Sequence, residues 1–254
     1  NDSLGNALVK QLTERKVNVD GVVRSHIVST TAKTRIMAGD DHTSKQQVIR
    51  IDKKNDEPIP ARLRTRIYDH FAKISKEVDA VLVSDYGYGV ISPRIITELA
   101  PLAKQKPVVV DSRYQLMRFR GVTAVTPNES EAEMASRIRI VDDKDVKRAA
   151  VSLKKRLSLR AVLITRGNRG MSLLEDAGRL WHIPIVGGDD ITDVTGAGDT
   201  VATVFTLAVA AGAGFYDAAR LANCAAGIVV MKTGTAVVTT AELTDAVKRT
   251  YGRG

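Results

Sequence analysis

Asp193-Val194-Thr195-Gly196-Ala197-Gly198-Asp199-Thr200 follows an irregular Gly187-Gly188-Asp189-Asp190 stretch and opens an apolar helix expected over residues 196–211. Small residues at 196–198 let backbone N–H groups approach a ligand closely. The start of a helix adds about half a positive charge. Together they make an anion site suited to negative charge developing on a transferring phosphoryl group. Asp199 falls in the first helical turn, beside that site. There it can take the proton of an attacking hydroxyl, a role worth roughly 10²–10⁴-fold in rate. Gly-Ala-Gly alone also reads as a plain glycine-rich helix cap; the longer string is more specific. It is neither a P-loop, which needs Gly-Lys-Ser/Thr, nor a Gly-x-Gly-x-x-Gly turn after a strand.

Upstream, from residue 78, strand-like and helix-like segments alternate. Strands are expected at 80–84, 107–111, 123–126, 161–165, 171–174 and 180–183. Helices are expected at 93–104, 129–137, 142–157, 216–231 and 240–249, the last with Thr240 as N-cap and Glu242 in its first turn. Such alternation predicts a mainly parallel sheet covered on both faces, with ligands outside the carboxyl ends of the strands. Asp85-Tyr86-Gly87, Asp111-Ser112-Arg113, Pro127-Asn128-Glu129 and Thr165-Arg166-Gly167 fall at those ends. Before residue 78 the pattern differs. A helix is expected at 3–15, then short β-like pieces at 22–28, 34–38 and 47–51, with Gly39-Asp40-Asp41-His42 as a hairpin turn. A basic amphipathic helix follows at 61–76. Residues 22–52 read as a small sheet, a lid or a dimer contact within one domain spanning 1–254.

The chain has 254 residues, 44% of them hydrophobic, enough for one sizeable core. No run of about 18 apolar residues occurs and no signal peptide is visible, so neither a membrane nor export is expected. One cysteine, Cys224, fits a reducing cytoplasm. The formal charge of +9 reads as solvated helix faces or as attraction for anionic substrates. Nucleic acid ranks last among partners, since only six Tyr, four Phe and one Trp can stack and no binding motif is present. The four histidines are scattered, without metal-ligand spacing.

The string from Asp193 to Val201 resembles the C-terminal signature of the ribokinase-like (pfkB) carbohydrate kinase family. Val81-Leu82-Val83-Ser84-Asp85-Tyr86, Thr126-Pro127-Asn128-Glu129-Ser130-Glu131, Leu163-Ile164-Thr165-Arg166-Gly167 and Gly170-Met171-Ser172-Leu173-Leu174 are similar to its bacterial ADP-heptose branch. So are Thr31-Ala32-Lys33-Thr34-Arg35 and Gln46-Gln47-Val48-Ile49-Arg50-Ile51-Asp52. That branch phosphorylates the C1 hydroxyl of D-glycero-D-manno-heptose 7-phosphate. The resemblance implies a three-layer α/β/α fold with a mainly parallel central sheet and a small β lid. It implies ATP and Mg²⁺, K⁺ as a monovalent cation, a sugar phosphate as substrate, and a homodimer.

Site roles follow by position. Asp199 resembles the catalytic base, and Gly196, Ala197 and Gly198 the anion hole. Asn128, Glu129, Ser130 and Glu131 fall in the nucleotide segment, with Asn128 and Glu131 holding Mg²⁺ through water. Their plain alternative is a helix N-cap with a first-turn acid. Thr165 and Gly167 resemble nucleotide contacts, or a tight turn. Asn223 resembles the residue facing adenine, or a buried amide bonding a neighbouring loop. Asp193 and Thr195 match backbone ligands of the monovalent cation. Lys33, Arg35, Arg50, Asp85, Asp111 and Arg113 are the substrate-side candidates, with solvated charge as the alternative for the basic ones. The family's opening strand, with a substrate-binding Asp, and its Gly-Gly-Ala-Asn segment are expected ahead of Asn1. Tyr88 stands where the heptose kinases carry Lys, and Ser112-Arg113 where they carry Pro-Lys.

Overall fold

Leu4, Leu8 and Leu12 recur every four residues, and helix α1 (Ser3–Glu14) forms there. Asp2 caps it, accepting from the Gly5 N–H at 2.7 Å while its other oxygen accepts from the Thr30 N–H at 2.7 Å. The computed structural model describes residues 1–38, 46–55, 58–175, 178–187 and 193–252. Antiparallel strands β1 (Ala32–Ala38) and β2 (Gln46–Lys53) make a two-stranded sheet, bulged between Ile36 and Met37. The hairpin turn expected at Gly39-Asp40-Asp41-His42 lies outside the described residues. Helix α2 (Ala61–Ile74) follows Pro60.

The strand expected at 22–28 does not form. Its valines favour a strand only where a partner ladder exists. Here Val22, Val23 and Val28 instead line an apolar cavity of about 330 Å³ with Leu8, Val9 and Leu63.

The rest of the chain alternates as expected. In order come β3 (Val81–Asp85), α3 (Pro93–Ala103), β4 (Val108–Ser112), β5 (Ala124–Val125), α4 (Glu129–Ser136), α5 (Asp143–Leu157), β6 (Ala161–Thr165), β7 (Met171–Leu174), β8 (Leu180–Ile183), α6 (Ala197–Ala210), α7 (Phe215–Val229) and α8 (Thr240–Tyr251). The six strands pair in sequence order, β3 to β6 parallel and the last two antiparallel. Val108, Val109 and Val110 are all fully buried, so both faces of β4 are covered, as in parallel sheets generally. Val109, Leu163 and Leu173 pack with Phe205 and Phe215 from α6 and α7 in one core cluster. Burying each such side chain contributes about 1.5–3 kcal/mol. Helix α8 is capped by Thr239, one residue earlier than expected. Thr239 and Glu242 form the reciprocal capping box, which needs the acid three positions after the cap.

The chain divides into two compact units: Asn1–Glu77 with Tyr88–Ser92, and Val78–Gly87 with Pro93–Gly254. No helix among the described residues is long and apolar enough to cross a membrane.

Candidate active site

Parallel pairing sets the carboxyl ends of β3 to β6 along one edge. Ser84 lies opposite Asp111, and Asp85 opposite Ser112. Asn128 and Thr165 make a parallel bridge, and the Thr165 N–H donates to the Pro127 carbonyl at 3.0 Å. The four polar clusters expected at strand ends thus share an edge. At the start of α6, Gly196 is the N-cap with φ +80°, a conformation that suits glycine. No side chain caps this helix start. A Cβ added at Gly196 or Gly198 would meet nothing within 4 Å, so the turn opens onto free space.

Asp199 stands in that first turn. The Tyr86 hydroxyl donates to both its carboxylate oxygens, at 3.0 and 2.9 Å, and the Ser84 hydroxyl lies 3.5 Å from one of them. Asp111 is close enough for its charge to be felt by both groups. Burial pushes the Asp111 carboxyl up to about 7, reinforced by the charges of Glu131 and Asp199. Burial also raises Glu131, against the opposing pull of the Asn128 N–H and Arg113. Burial, then the Asp199 carboxylate, raises the Tyr86 phenol. Arg113 acts on both Tyr86 and Glu131, and its guanidinium lies 5.5 Å from the Tyr114 ring centroid.

Other expected residues are held in specific ways. Asn128 and Glu131 form a capping box at the start of α4, each side chain accepting from the other's N–H at 2.9 Å. Ser130 is exposed in the same turn. Glu129 pairs with Arg166 at 2.8 Å and with Arg169. Arg166, which is buried, also reaches Asp143 at 2.7 Å. Gly167 begins a short 3-10 turn after Thr165. Both Asp85 oxygens are engaged, one by the Gly87 N–H at 3.0 Å and one by the Ser112 hydroxyl at 2.8 Å. The Asp193 carboxylate accepts from the Thr195 N–H at 2.8 Å and the Gly234 N–H at 3.1 Å, clamping the loop ahead of α6.

Asn223 is buried and donates to the Pro184 carbonyl at 2.6 Å, as in the alternative reading of a buried amide bonding a neighbouring loop. One turn on, a Cβ at Gly227 would sit 2.1 Å from the Val186 carbonyl, so only glycine admits this loop against α7. Beside that crossing, Val186, Cys224, Ile228, Lys232 and Asp245 are among the residues lining a cleft of about 500 Å³. Lys33, Arg35 and Arg50 belong to the first unit. There Arg35 lies directly opposite Arg50 and Lys33 opposite Asp52, and Arg50 pairs with Asp52 at 3.0 Å.

Sequence reasoning left Tyr86, Ser84, Ser112 and Arg166 without roles. Tyr86 lay inside a quoted segment, but its bond to Asp199 spans 113 residues and leaves no local pattern.

The donor set suits Mg²⁺ held through water. Asp111 and Glu131 are an acidic surplus with raised carboxyls, which a divalent cation would relieve. Among the described residues no three acidic, His or Cys groups are grouped to grip a metal directly. Mg²⁺ commonly keeps several waters and uses one or two carboxylates.

Residues 1–241 match the pfkB family of carbohydrate kinases. The chain belongs to this family. A relative named bifunctional protein HldE, from Geobacter sulfurreducens, is 39% identical over 256 residues, covering 100% of this chain and 51% of its own length. Its counterpart from Geotalea uraniireducens is 39% identical over 245 residues, covering 95% of this chain and 49% of its own length. The chain thus spans about half the length of these relatives. Among solved structures, the Arabidopsis thaliana ribokinase complexed with ribose and ATP superposes with TM-score 0.76 at 20% identity. It covers 98% of this chain and 79% of its own. Escherichia coli phosphofructokinase-2 in complex with potassium gives 0.73 at 17%, with the same coverage. At these identities the likeness is one of fold: the ribokinase-like α/β architecture with a small antiparallel sheet.

Proposed function

We propose that the pfkB kinase chain transfers the γ-phosphoryl group of ATP to the C1 hydroxyl of D-glycero-D-manno-heptose 7-phosphate, with Asp199 as general base. The observation that carries this reading is Asp199 in the first turn of an uncapped helix start that opens onto free space. The acceptor hydroxyl passes its proton to an Asp199 oxygen as its own oxygen attacks the γ-phosphorus, and ADP departs. The N–H groups of Gly196 and Gly198 face the charge that builds on the transferring group, while the Ala197 N–H, which donates to the Val194 carbonyl at 3.3 Å, joins them only by giving up that bond. Asn128 and Glu131 hold Mg²⁺ through water, which supplies charge neutralisation on the phosphates. Ser130, Thr165 and Gly167 flank the nucleotide, Glu129 steadies the α4 turn through Arg166, and Asn223 shapes the adenine side by fixing the 184–187 loop. The Asp193 carboxylate holds the loop through the Thr195 and Gly234 N–H groups, and the backbone carbonyls of Asp193 and Thr195 are the proposed K⁺ ligands.

On the acceptor side, Asp85, Asp111 and Arg113 are the residues assigned to the sugar; Lys33, Arg35 and Arg50, on the two-stranded sheet of the first unit, are assigned separately to binding a phosphate. Two arginines directly opposite one another repel, and an anion between them removes that cost. The other face of the same sheet exposes Ile36, Ile49 and Ile51, which supports its covering by a second copy of the chain. ATP as donor puts the reaction in the cytoplasm. The heptose acceptor rests on the resemblance of the quoted segments to the ADP-heptose kinases. ADP release measured over a panel of sugars tests it: heptose 7-phosphate is expected to give the highest kcat/KM. Preference for ribose, fructose or a nucleoside would replace it with another member of the same fold.

A further inference from the structure

Among the described residues, Tyr86 is the side chain of the strand edge that donates to both oxygens of Asp199. Its backbone is pinned on either side. β3 ends at Asp85, paired with Ser112 in the last rung of a five-residue parallel ladder. The Asp85 carboxylate then binds the Gly87 N–H and the Ser112 hydroxyl, closing the turn around Tyr86. Gly87 has φ +78°, so the turn is one that glycine favours. Tyr86 is half-buried and its phenol is held in the protonated form, since burial and the Asp199 charge both oppose its ionisation. The Asp199 carboxylate, by contrast, is exposed on its helix turn, with the Ser84 hydroxyl 3.5 Å away as a weaker partner.

We propose that Tyr86 is the positioning residue of the base: it fixes the orientation of the Asp199 carboxylate in its ionised form and releases one of its two oxygens to the acceptor hydroxyl. The inference rests on the reading of Asp199 as the base. A shared bond from one donor to two oxygens is less well aligned than a linear one, so one oxygen is readily surrendered. Donation to a carboxylate favours its charged form. During transfer the acceptor O–H bond breaks and its proton goes to the released oxygen. The Tyr86 proton stays on the phenol throughout. The other groups facing this pair are Asp111, on β4, and Arg113, just beyond it; Asp111 acts on both Asp199 and Tyr86, and Arg113 on Tyr86.

The test compares Tyr86→Phe, Ser84→Ala and Asp199→Asn in the full chain, with MgATP and heptose 7-phosphate. For Tyr86→Phe, kcat is expected to fall about tenfold with KM for ATP unchanged. The acid limb of the kcat profile should move up by about one pH unit, as a carboxylate loses a charged hydrogen bond. Ser84→Ala should move it less. The same upward shift is expected without turnover, in the ¹³C carboxyl signal of labelled aspartate that disappears in Asp199→Asn. A purely structural Tyr86 would lower thermal stability and leave both pH readouts where they are; that result, or parent-like kcat and titration, overturns the inference. If Asp199→Asn itself retains turnover, the base reading fails first. If Asp199→Asn is inactive and Tyr86→Phe matches the parent, only the role of Tyr86 falls.

Discussion

Each of the two sheets sets like charges against one another, and the two settings differ in burial. At the edge of the six-stranded sheet, burial raises the Asp111 carboxyl to about 7, and the charges of Glu131 and Asp199 add to the rise. In the two-stranded sheet, Arg35 stands opposite Arg50 with both side chains exposed. Water and salt screen the second pair, and Asp52 takes part of the charge of Arg50. Burial removes that relief from the first. The buried repulsion is therefore stored in the fold and available to a cation or a proton, whereas the exposed one costs little until an anion is offered.

The largest expected effect comes from removing the buried charge of Asp111. Asp111 has a folded value near 7 against an ordinary 3.8, so the folded state holds its proton more tightly than the unfolded chain does. Its contribution to stability therefore declines as pH rises from about 4 to 7, and the penalty is complete above 7. Asp111→Asn does not titrate. The variant is expected to match the parent near pH 4 and to exceed it at pH 8, by at most about 4 kcal/mol. Denaturant unfolding across that range measures the gap. A constant difference at all pH values would show that Asp111 is not under this strain.

The exposed pair should respond less. Arg35→Ala is expected to change stability by no more than about 0.5 kcal/mol, as for exposed charges generally. If the pair meets the substrate phosphate, the same variant raises KM for heptose 7-phosphate several-fold and leaves KM for ATP alone. Equal effects on both substrates would remove Arg35 from the acceptor side.

The sequence carried the core well because its strands are buried runs such as Val108-Val109-Val110, whose type needs no distant partner to be recognised. The open glycine start of α6 was legible for the same reason: Gly196 to Asp199 are neighbours in sequence. What failed was whatever depended on a partner elsewhere. The valines at 22–28 have strand chemistry but line a cavity instead of joining a ladder. Thr240 was the expected cap of α8, and the box closed by Glu242 puts the cap on Thr239 instead. Asn223 was readable as either an adenine contact or a loop anchor, and its bond to Pro184 required the loop to be seen. Tyr86 was hidden most completely, since nothing near it in sequence announces a carboxylate 113 residues away.

On the proposed mechanism, Asp199 removes the acceptor proton while the turns at Asn128 and Thr165 hold the nucleotide. Asp199→Asn keeps the side-chain shape and loses the base. ADP release with heptose 7-phosphate, measured beside calorimetric binding of MgATP, tests it most directly. A loss of turnover of about 10²-fold or more with nucleotide affinity retained is expected. Turnover close to that of the parent would contradict it.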